Sequence, residues 1–444
     1  METDFLKSLF QKYYHRQNSI APLTTFRIVF GAMMLFSTLR FWALGWIKNH
    51  FIDAKTTFKY YGFEWVELLS PNWMYAIHVV MVLASVGVML GFLYRISAIL
   101  LFLTFTYCQL IDLTYYLNHY YFVAIACLFM VFVPANRAFS LDIRWLGVKP
   151  ITHVSAWAIN IFKLQIAIVY IFAGLAKINF TWLMEALPLK IWLPAADALP
   201  VIGWFMKFKI TPYLFSWCGM LYDTFIVFFL LNARTRPFAY FTVIVFHAMT
   251  GILFQIGVFP LVMIGATLIF FSDNFHEQIL RFLGWRKTLI PFDLRLRNRI
   301  LQYGLIIFFI FQLIFPWRYL LYSGSMFWTE QGYRFGWRVM LMEKAGTATF
   351  YVKDAKTGRE GEVTNSEFLH NHQEKQMAMQ PDLILQYAQF LKNHFAQKGV
   401  NNPSVRAEIY VTLNGKPSQL LIDPNIDLTK IQDGWEDKKW LINR

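Results

Sequence analysis

The chain has 444 residues, 57% of them hydrophobic and 19% aromatic, with only 15% charged; soluble domains carry about 25% charged residues, so the composition excludes an ordinary water-soluble protein and indicates a membrane protein. A net charge of +14, concentrated in short loops between apolar runs, is what membrane orientation produces, and nucleic acid is set aside as a partner. Cys108, Cys127 and Cys218 lie inside apolar runs without CxxC or Cys/His spacing, so neither a disulfide framework nor a metal site is expected.

The opening segment, METDFLKSLFQKYYHRQNS, is amphipathic and charged. It lacks the apolar core and small-residue cleavage site of a signal peptide, so the first apolar run is expected to stay in the mature protein. A helix needs about 20 residues to cross the hydrocarbon core. Apolar runs of that order lie near 22–46, 72–94, 96–116, 119–134, 153–176, 212–232, 237–254, 255–272 and 299–316. The fourth, seventh and eighth are short, and eight or ten spans are compatible with the pattern. Between the fifth and sixth, FTWLMEALPLKIWLPAADALPVIGWFMKFK is rich in proline and tryptophan and reads as interfacial or re-entrant.

Basic residues are distributed unevenly among the loops. With the amino terminus cytoplasmic, the inner segments hold Lys7, Lys12, Arg16, Arg95, Arg137, Arg144, Lys149, Arg234, Arg236 and the basic residues from Arg281 to Arg299, including Arg286, Lys287, Arg295 and Arg297. The outer loops hold Lys48, Lys55, Lys59, Lys177, Lys190, Lys207 and Lys209. The bias is roughly two to one in favour of this orientation. An odd number of crossings then puts the carboxyl terminus outside.

Past residue 316 the texture changes. TATFYVKDAKTGREGEV and AEIYVTLNGKPSQLLID alternate apolar and polar residues around Lys-Thr-Gly and Asn-Gly turns, as hairpins do. Between them Leu383, Ile384, Tyr387, Leu391 and Phe395 recur at helical spacing before Gly399. The predicted architecture is an all-α polytopic membrane domain over 1–316, with about nine transmembrane helices, followed by a small α+β extracytoplasmic domain over 317–444.

Polar residues within apolar runs are costly, by roughly 2.5 kcal/mol or more for a charge at the bilayer centre. Several fall at one level under this topology. Asn118 and His119 open the fourth run at its outer end, Lys177 closes the fifth, and His247 lies in the outer half of the seventh. Lys177 has two readings: an anchor that snorkels to the interface, or an amine shielded by AGLA and INFTW that serves as a general base. For His119 and His247 the structural alternative is an imidazole satisfied by another helix, and His78 is assigned to that alternative. Arg27, Lys163 and Asp223 lie deeper and read as a buried ion-pair network, with a proton path as the sharper alternative. Arg95, in a short inner turn, reads as an anchor.

The stretch IVYIFAGLAKINFTW (168–182) resembles the catalytic-lysine segment of the vitamin K-dependent gamma-carboxylase family. Further stretches agree in order: LGFLYRIS (90–97), LIDLTYYLNHYYF (110–122), VFHAMTGILFQIGVF (245–259), FWTEQGYRFGWRVM (327–340), YVKDAKTGREGEV (351–363) and EIYVTLNGKPSQLLIDP (408–424). The resemblance implies an enzyme that binds reduced vitamin K, a naphthohydroquinone, deprotonates it, and epoxidises it with O2. It couples this to gamma-carboxylation of a peptide glutamate with CO2. By the same resemblance Lys177 is the base and His119 assists addition of CO2. Asn118, Tyr170 and His247 line the pocket, and Tyr333 and Trp337 belong to the region associated with the glutamate substrate. The implied partners are membrane lipid, the naphthoquinone and a glutamate-containing peptide or protein, and no metal is implied.

The departures from the animal pattern are Ala176 beside the lysine, Arg338 where an acidic residue is seen, and Gly336 in place of a serine. The chain stops at Arg444, without the luminal extension that contributes to propeptide docking in animal members, so quinone epoxidation without protein carboxylation is an alternative outcome. A transporter or lipid-binding protein is the alternative from another class, and it would often carry the inverted repeats that this sequence lacks. The short, cysteine-poor form suggests a bacterial inner membrane.

Overall fold

The computed structural model describes residues 16–254, 256–285 and 299–442. The amino-terminal segment with Lys7 and Lys12, and the basic residues Arg286, Lys287, Arg295 and Arg297, lie outside the described residues.

Each apolar run forms a helix: α1 Ala21–Ala43, α2 Pro71–Leu90, α3 Tyr94–Ile111, α4 Asn118–Phe132, α5 Trp157–Ala176, α6 Thr211–Leu231, α7 Arg236–Phe254, α8 Phe259–Thr267 and, after a bent junction, α9 Asp273–Phe282, then α10 Arg299–Ile314. Seven of the described helices are long and apolar enough to cross a membrane, α10 being continued by a 3-10 turn to Leu321. An eighth span arises if the α8–α9 unit, bent by 115°, counts as one. The count of about nine is thus approximate, because α4 has only 15 residues and the run at 255–272 forms a short helix, Phe259–Phe270, that ends at a 115° bend. Ser272 causes that turn to hold: its Oγ accepts from Phe275 N and caps α9.

Lipid tails are as apolar as leucine, so helix association depends on close packing and small residues. Gly31 on α1 faces Met89 of α2, where a Cβ would sit 2.5 Å from the Met89 nitrogen. Gly174 on α5 meets Thr224 of α6 the same way, with a Cβ 2.3 Å from Oγ1 and 2.5 Å from the backbone nitrogen. These contacts fix how deeply α5 and α6 approach, which matters below. The segment between them contains only short turns of helix, Phe180–Leu183, Leu189–Trp192, Pro194–Ala196 and Gly203–Met206. Trp182, Leu189, Leu193 and Met206 pack there with Leu341 of the carboxyl-terminal region.

The buried charges do not form the expected network. Arg27 donates to the carbonyls of Val88 at 3.2 Å and Phe139 at 2.6 Å, Lys163 lies 6.0 Å from the Phe270 ring, and Asp223 pairs with Lys177. The reason is axial level: Lys163 lies about 21 Å from Lys177 along the same helix, and it is Lys177 that stands level with Asp223, beside the contact of Gly174 with Thr224. His78 bonds the Met74 carbonyl on its own helix at 2.8 Å, and Arg95 donates to the carbonyl of Val131.

The carboxyl-terminal region contains a four-stranded antiparallel sheet of β1 Lys344–Lys353, β2 Glu360–Val363, β3 Ser404–Leu413 and β4 Gln419–Leu420, in the order β2-β1-β3-β4. β1 and β3 pair along their full length, from Lys344 opposite Leu413 to Lys353 opposite Ser404. Alternation puts Val405, Ala407, Ile409, Val411 and Leu413 on the buried face. They pack with the apolar stripe of α12, Pro381–Gln397, formed by Leu383, Ile384, Tyr387, Ala388 and Leu391. A shorter helix, α11 Asn371–Met377, precedes it. Asn414 and Gly415 both have positive φ, 54° and 70°, as the predicted Asn-Gly turn requires.

Candidate functional site

α5 ends at Ala176 with Lys177 as its C-cap, and Asn179 caps the following turn by accepting from Trp182 N at 2.9 Å. Since α5 and α6 touch at Gly174 and Thr224, the lysine one turn on meets Asp223 of α6. Lys177 Nζ donates to Asp223 Oδ2 at 2.7 Å and to the carbonyl of Ala173 at 3.1 Å. Both residues are 6% exposed, and the amine lies 5.5 Å from the Trp182 ring. Two charges removed together from water are tolerable only as such a pair.

The pair borders a cavity of about 90 Å³, room for about three water molecules, so a bicyclic ring enters only as its walls move apart. Its walls include Phe215, Phe246, Leu253, Phe254, Phe259 and Met263, and its polar lining includes Lys177, Asp223, Tyr170, His247 and Thr250. Tyr170 Oη lies 2.8 Å from His247 Nε2. The other ring nitrogen, Nδ1, is buried and has no hydrogen-bond partner among the described residues. Where the phenol donates to Nε2, the imidazole carries its proton on Nδ1.

The carboxyl-terminal region closes this cavity through Val339 and Met340. They follow a tightly held turn in which Phe335, Trp337 and Met340 have φ of 57°, 56° and 54°, a region that residues with a side chain rarely adopt. Polar bonds from the membrane part hold it. Phe335 N donates to Tyr116 Oη at 2.7 Å, Tyr116 Oη donates to Asn118 Oδ1 at 2.9 Å, and Asn118 Nδ2 donates to the Arg338 carbonyl at 2.7 Å. Trp337 is fully buried and stacks on Tyr121 at 4.8 Å between centroids.

Of the residues singled out in sequence, Lys177, Tyr170 and His247 come together on one cavity. Asn118 touches the turn that closes it. His119 lies on the other side of Phe259, whose ring is 5.3 Å from His119 and 5.5 Å from His247, in a separate crevice beside Phe30, Met34 and Phe105. Tyr333 is half-buried, its N–H bonded to the Glu330 carbonyl at 3.1 Å, and neither it nor Trp337 borders the cavity. Asp223, Val339, Met340 and Phe259 join the site without having been singled out as part of it. For Asp223 the signal was present, a carboxylate alone in an apolar run, but its partner was not legible.

Two family models together span most of the sequence. Residues 15–275 match the HTTM domain, and residues 297–444 match the model described as vitamin K-dependent gamma-carboxylase, lumenal domain. The chain belongs to the vitamin K-dependent gamma-carboxylase family. It is accordingly a carboxylase-like multi-pass membrane protein, with the lumenal-type region of the family at its carboxyl end. No solved structure matches it.

Proposed function

We propose that this gamma-carboxylase family member deprotonates reduced vitamin K in the cavity between α5, α6 and α7, with Lys177 and Asp223 acting as one base. The observation that carries the reading is the buried 2.7 Å pair facing an apolar-walled space with an unpartnered imidazole nitrogen. A flat apolar ring with hydroxyls at its edges fits that donor and acceptor set. When bound, the reduced naphthoquinone supplies the reaction with O2 whose basic product removes the gamma proton of a peptide glutamate, to which CO2 then adds.

The pair is electrically neutral as a unit. A proton passing from Lys177 to Asp223 leaves a free amine beside a neutral acid, and the amine then takes the hydroxyl proton. The net result is a protonated Asp223 and an ammonium at Lys177 that stabilises the new anion by contact. His247, oriented by Tyr170, donates from Nδ1 to the other ring oxygen. Phe246, Phe259 and the Val339–Met340 segment keep water from a base stronger than hydroxide-containing solvent would tolerate. His119, past Phe259, assists the later addition of CO2, and the segment around Tyr333 and Trp337 guides the glutamate.

Quinone epoxidation without carboxylation is the second reading. It is favoured by the full burial of Trp337 against Tyr121 and by a cavity lining that does not include Tyr333. In either case the amino terminus is cytoplasmic, the site faces the extracytoplasmic side, and a bacterial inner membrane is the setting. Purified protein given reduced vitamin K, O2, bicarbonate and a glutamate peptide tests both readings when epoxide and carboxylated peptide are scored separately. Both products are expected under the first reading and epoxide alone under the second; neither product refutes the proposal.

A further inference from the structure

On the face of the helical part opposite the carboxyl-terminal region, a second cavity of about 570 Å³ opens between the start of α1, the end of α2 and the 137–151 connection. Arg27, Arg137 and Arg144 line it with Met89, Leu90 and Trp285, and among the described residues none of the lining is acidic. Arg27 is fully buried. Among the described residues its two terminal nitrogens donate to the carbonyls of Val88 and Phe139, and its Nε has no partner there.

The neighbouring carboxylate does not neutralise it by contact. Asp142 accepts from Leu93 N at 2.7 Å, Tyr94 N at 3.2 Å and Asn136 Nδ2 at 2.6 Å. Gly91, at φ +65°, holds the guanidinium against the end of α2, since a Cβ there would lie 2.1 Å from Arg27 Nη1. A buried cation with neutral partners, beside two further arginines and an apolar wall, calls for an anion with an apolar body. A basic pocket between helices at one membrane surface is the arrangement that takes an acidic lipid headgroup.

We propose that this cavity is a binding site for an anionic phospholipid, its phosphate held by Arg27, Arg137 and Arg144 and an acyl chain lying against Met89 and Leu90. The site is independent of the reaction proposed above. The test uses full-length protein in mild detergent, examined by native mass spectrometry with phosphatidylglycerol and phosphatidylcholine of matched acyl chains. Phosphatidylglycerol should be retained about tenfold better, and Arg137→Gln with Arg144→Gln should lower its retention by about fivefold per arginine removed. Should the double variant fail to fold, Arg144→Gln alone, on an exposed side chain, is read the same way. Equal retention of the two lipids, or undiminished retention by a folded variant, overturns the site. Complete displacement of the lipid by inorganic phosphate alone also overturns it, since that identifies a site for a free anion.

Discussion

Lys177 and Asp223 depend on one another for stability before they do any chemistry. Removing one partner of a buried ion pair leaves an unpaired charge and costs about 3–5 kcal/mol, whereas replacing both by apolar groups is often neutral. Lys177→Ala should therefore lose both epoxide formation and thermal stability. The double change Lys177→Met with Asp223→Leu should recover much of the melting temperature while staying inactive, which separates folding from chemistry in one comparison of melts and rates. The sequence made Lys177 and Asp223 visible as polar residues in apolar runs, but not as partners. They lie in different helices, and Arg27 and Lys163 were equally available to the carboxylate on paper. Which cation faces it is decided by the level at which α5 and α6 touch, at Gly174 and Thr224, which hydropathy does not report. His119 illustrates the same limit: its place at the start of an apolar helix was legible, but the Phe259 ring between it and His247 was not. Replacing His119 by alanine should reduce carboxylated peptide more than epoxide, and an equal fall in both would remove its separate role.

The helix contact at Gly174 sets the geometry of the pair. Any side chain there meets Thr224, and overpacking of this kind typically costs about 1–3 kcal/mol. A displacement of about 1 Å at a reacting centre can cost 10²-fold in rate. Gly174→Val should thus depress epoxide formation by about two orders of magnitude, more than its change in melting temperature accounts for; a normal rate in this variant would show that the approach of α5 to α6 is immaterial.

A second contact between elements is pH-sensitive. His50 stacks on Tyr115 at 4.0 Å, and Tyr115 stacks on His372 of α11 at 4.6 Å and lies 3.1 Å from His370 Nε2. Phe41, Trp46 and Phe51 also face His50, and the nearby Asp112 accepts from Gln373. Burial, with His372 and His370 adding repulsion, lowers His50 from 6.5 to about 4. The native state then binds fewer protons than the unfolded chain between these values, so this contribution to stability is complete above about pH 6.5 and is lost as pH falls toward about 4. Melting temperature should fall on acidification through that window, and His50→Phe should flatten the dependence.

At the same scale, the positions of the helices were largely readable from apolar runs of the right length, and the hairpins and α12 from alternation and turn residues. The 115° bend after α8 was not, because hydropathy records apolarity and not direction, although the polar Ser272-Asp273-Asn274 interruption marks its place.

The whole molecule is organised so that neither half completes the site alone. Helices α5 to α7 supply Tyr170, Lys177, Asp223 and His247, while Val339 and Met340 reach over from the carboxyl-terminal region on a turn pinned by Asn118 and Tyr116. Ion pairs on the outer side, Lys344 with Glu330 at 2.8 Å and Arg334 with Asp382, hold the base of that turn against the sheet and α12. Sequence placed this region outside the membrane and next to the polar level of the helices, but its part in the cavity wall, through Val339 and Met340, follows only from the contacts. Asn118→Ala, which loses bonds to both Tyr116 and Arg338, should destabilise by about 1–3 kcal/mol, and chemical unfolding measures it.

The central claim is that Asp223 shares the proton of Lys177 during the reaction. The most direct measurement is the rate of vitamin K epoxide formation by Asp223→Asn in lipid nanodiscs, normalised to folded protein. The account predicts a loss of about 10²-fold or more, the usual contribution of an acid–base group. A folded variant that keeps the wild-type rate would contradict it.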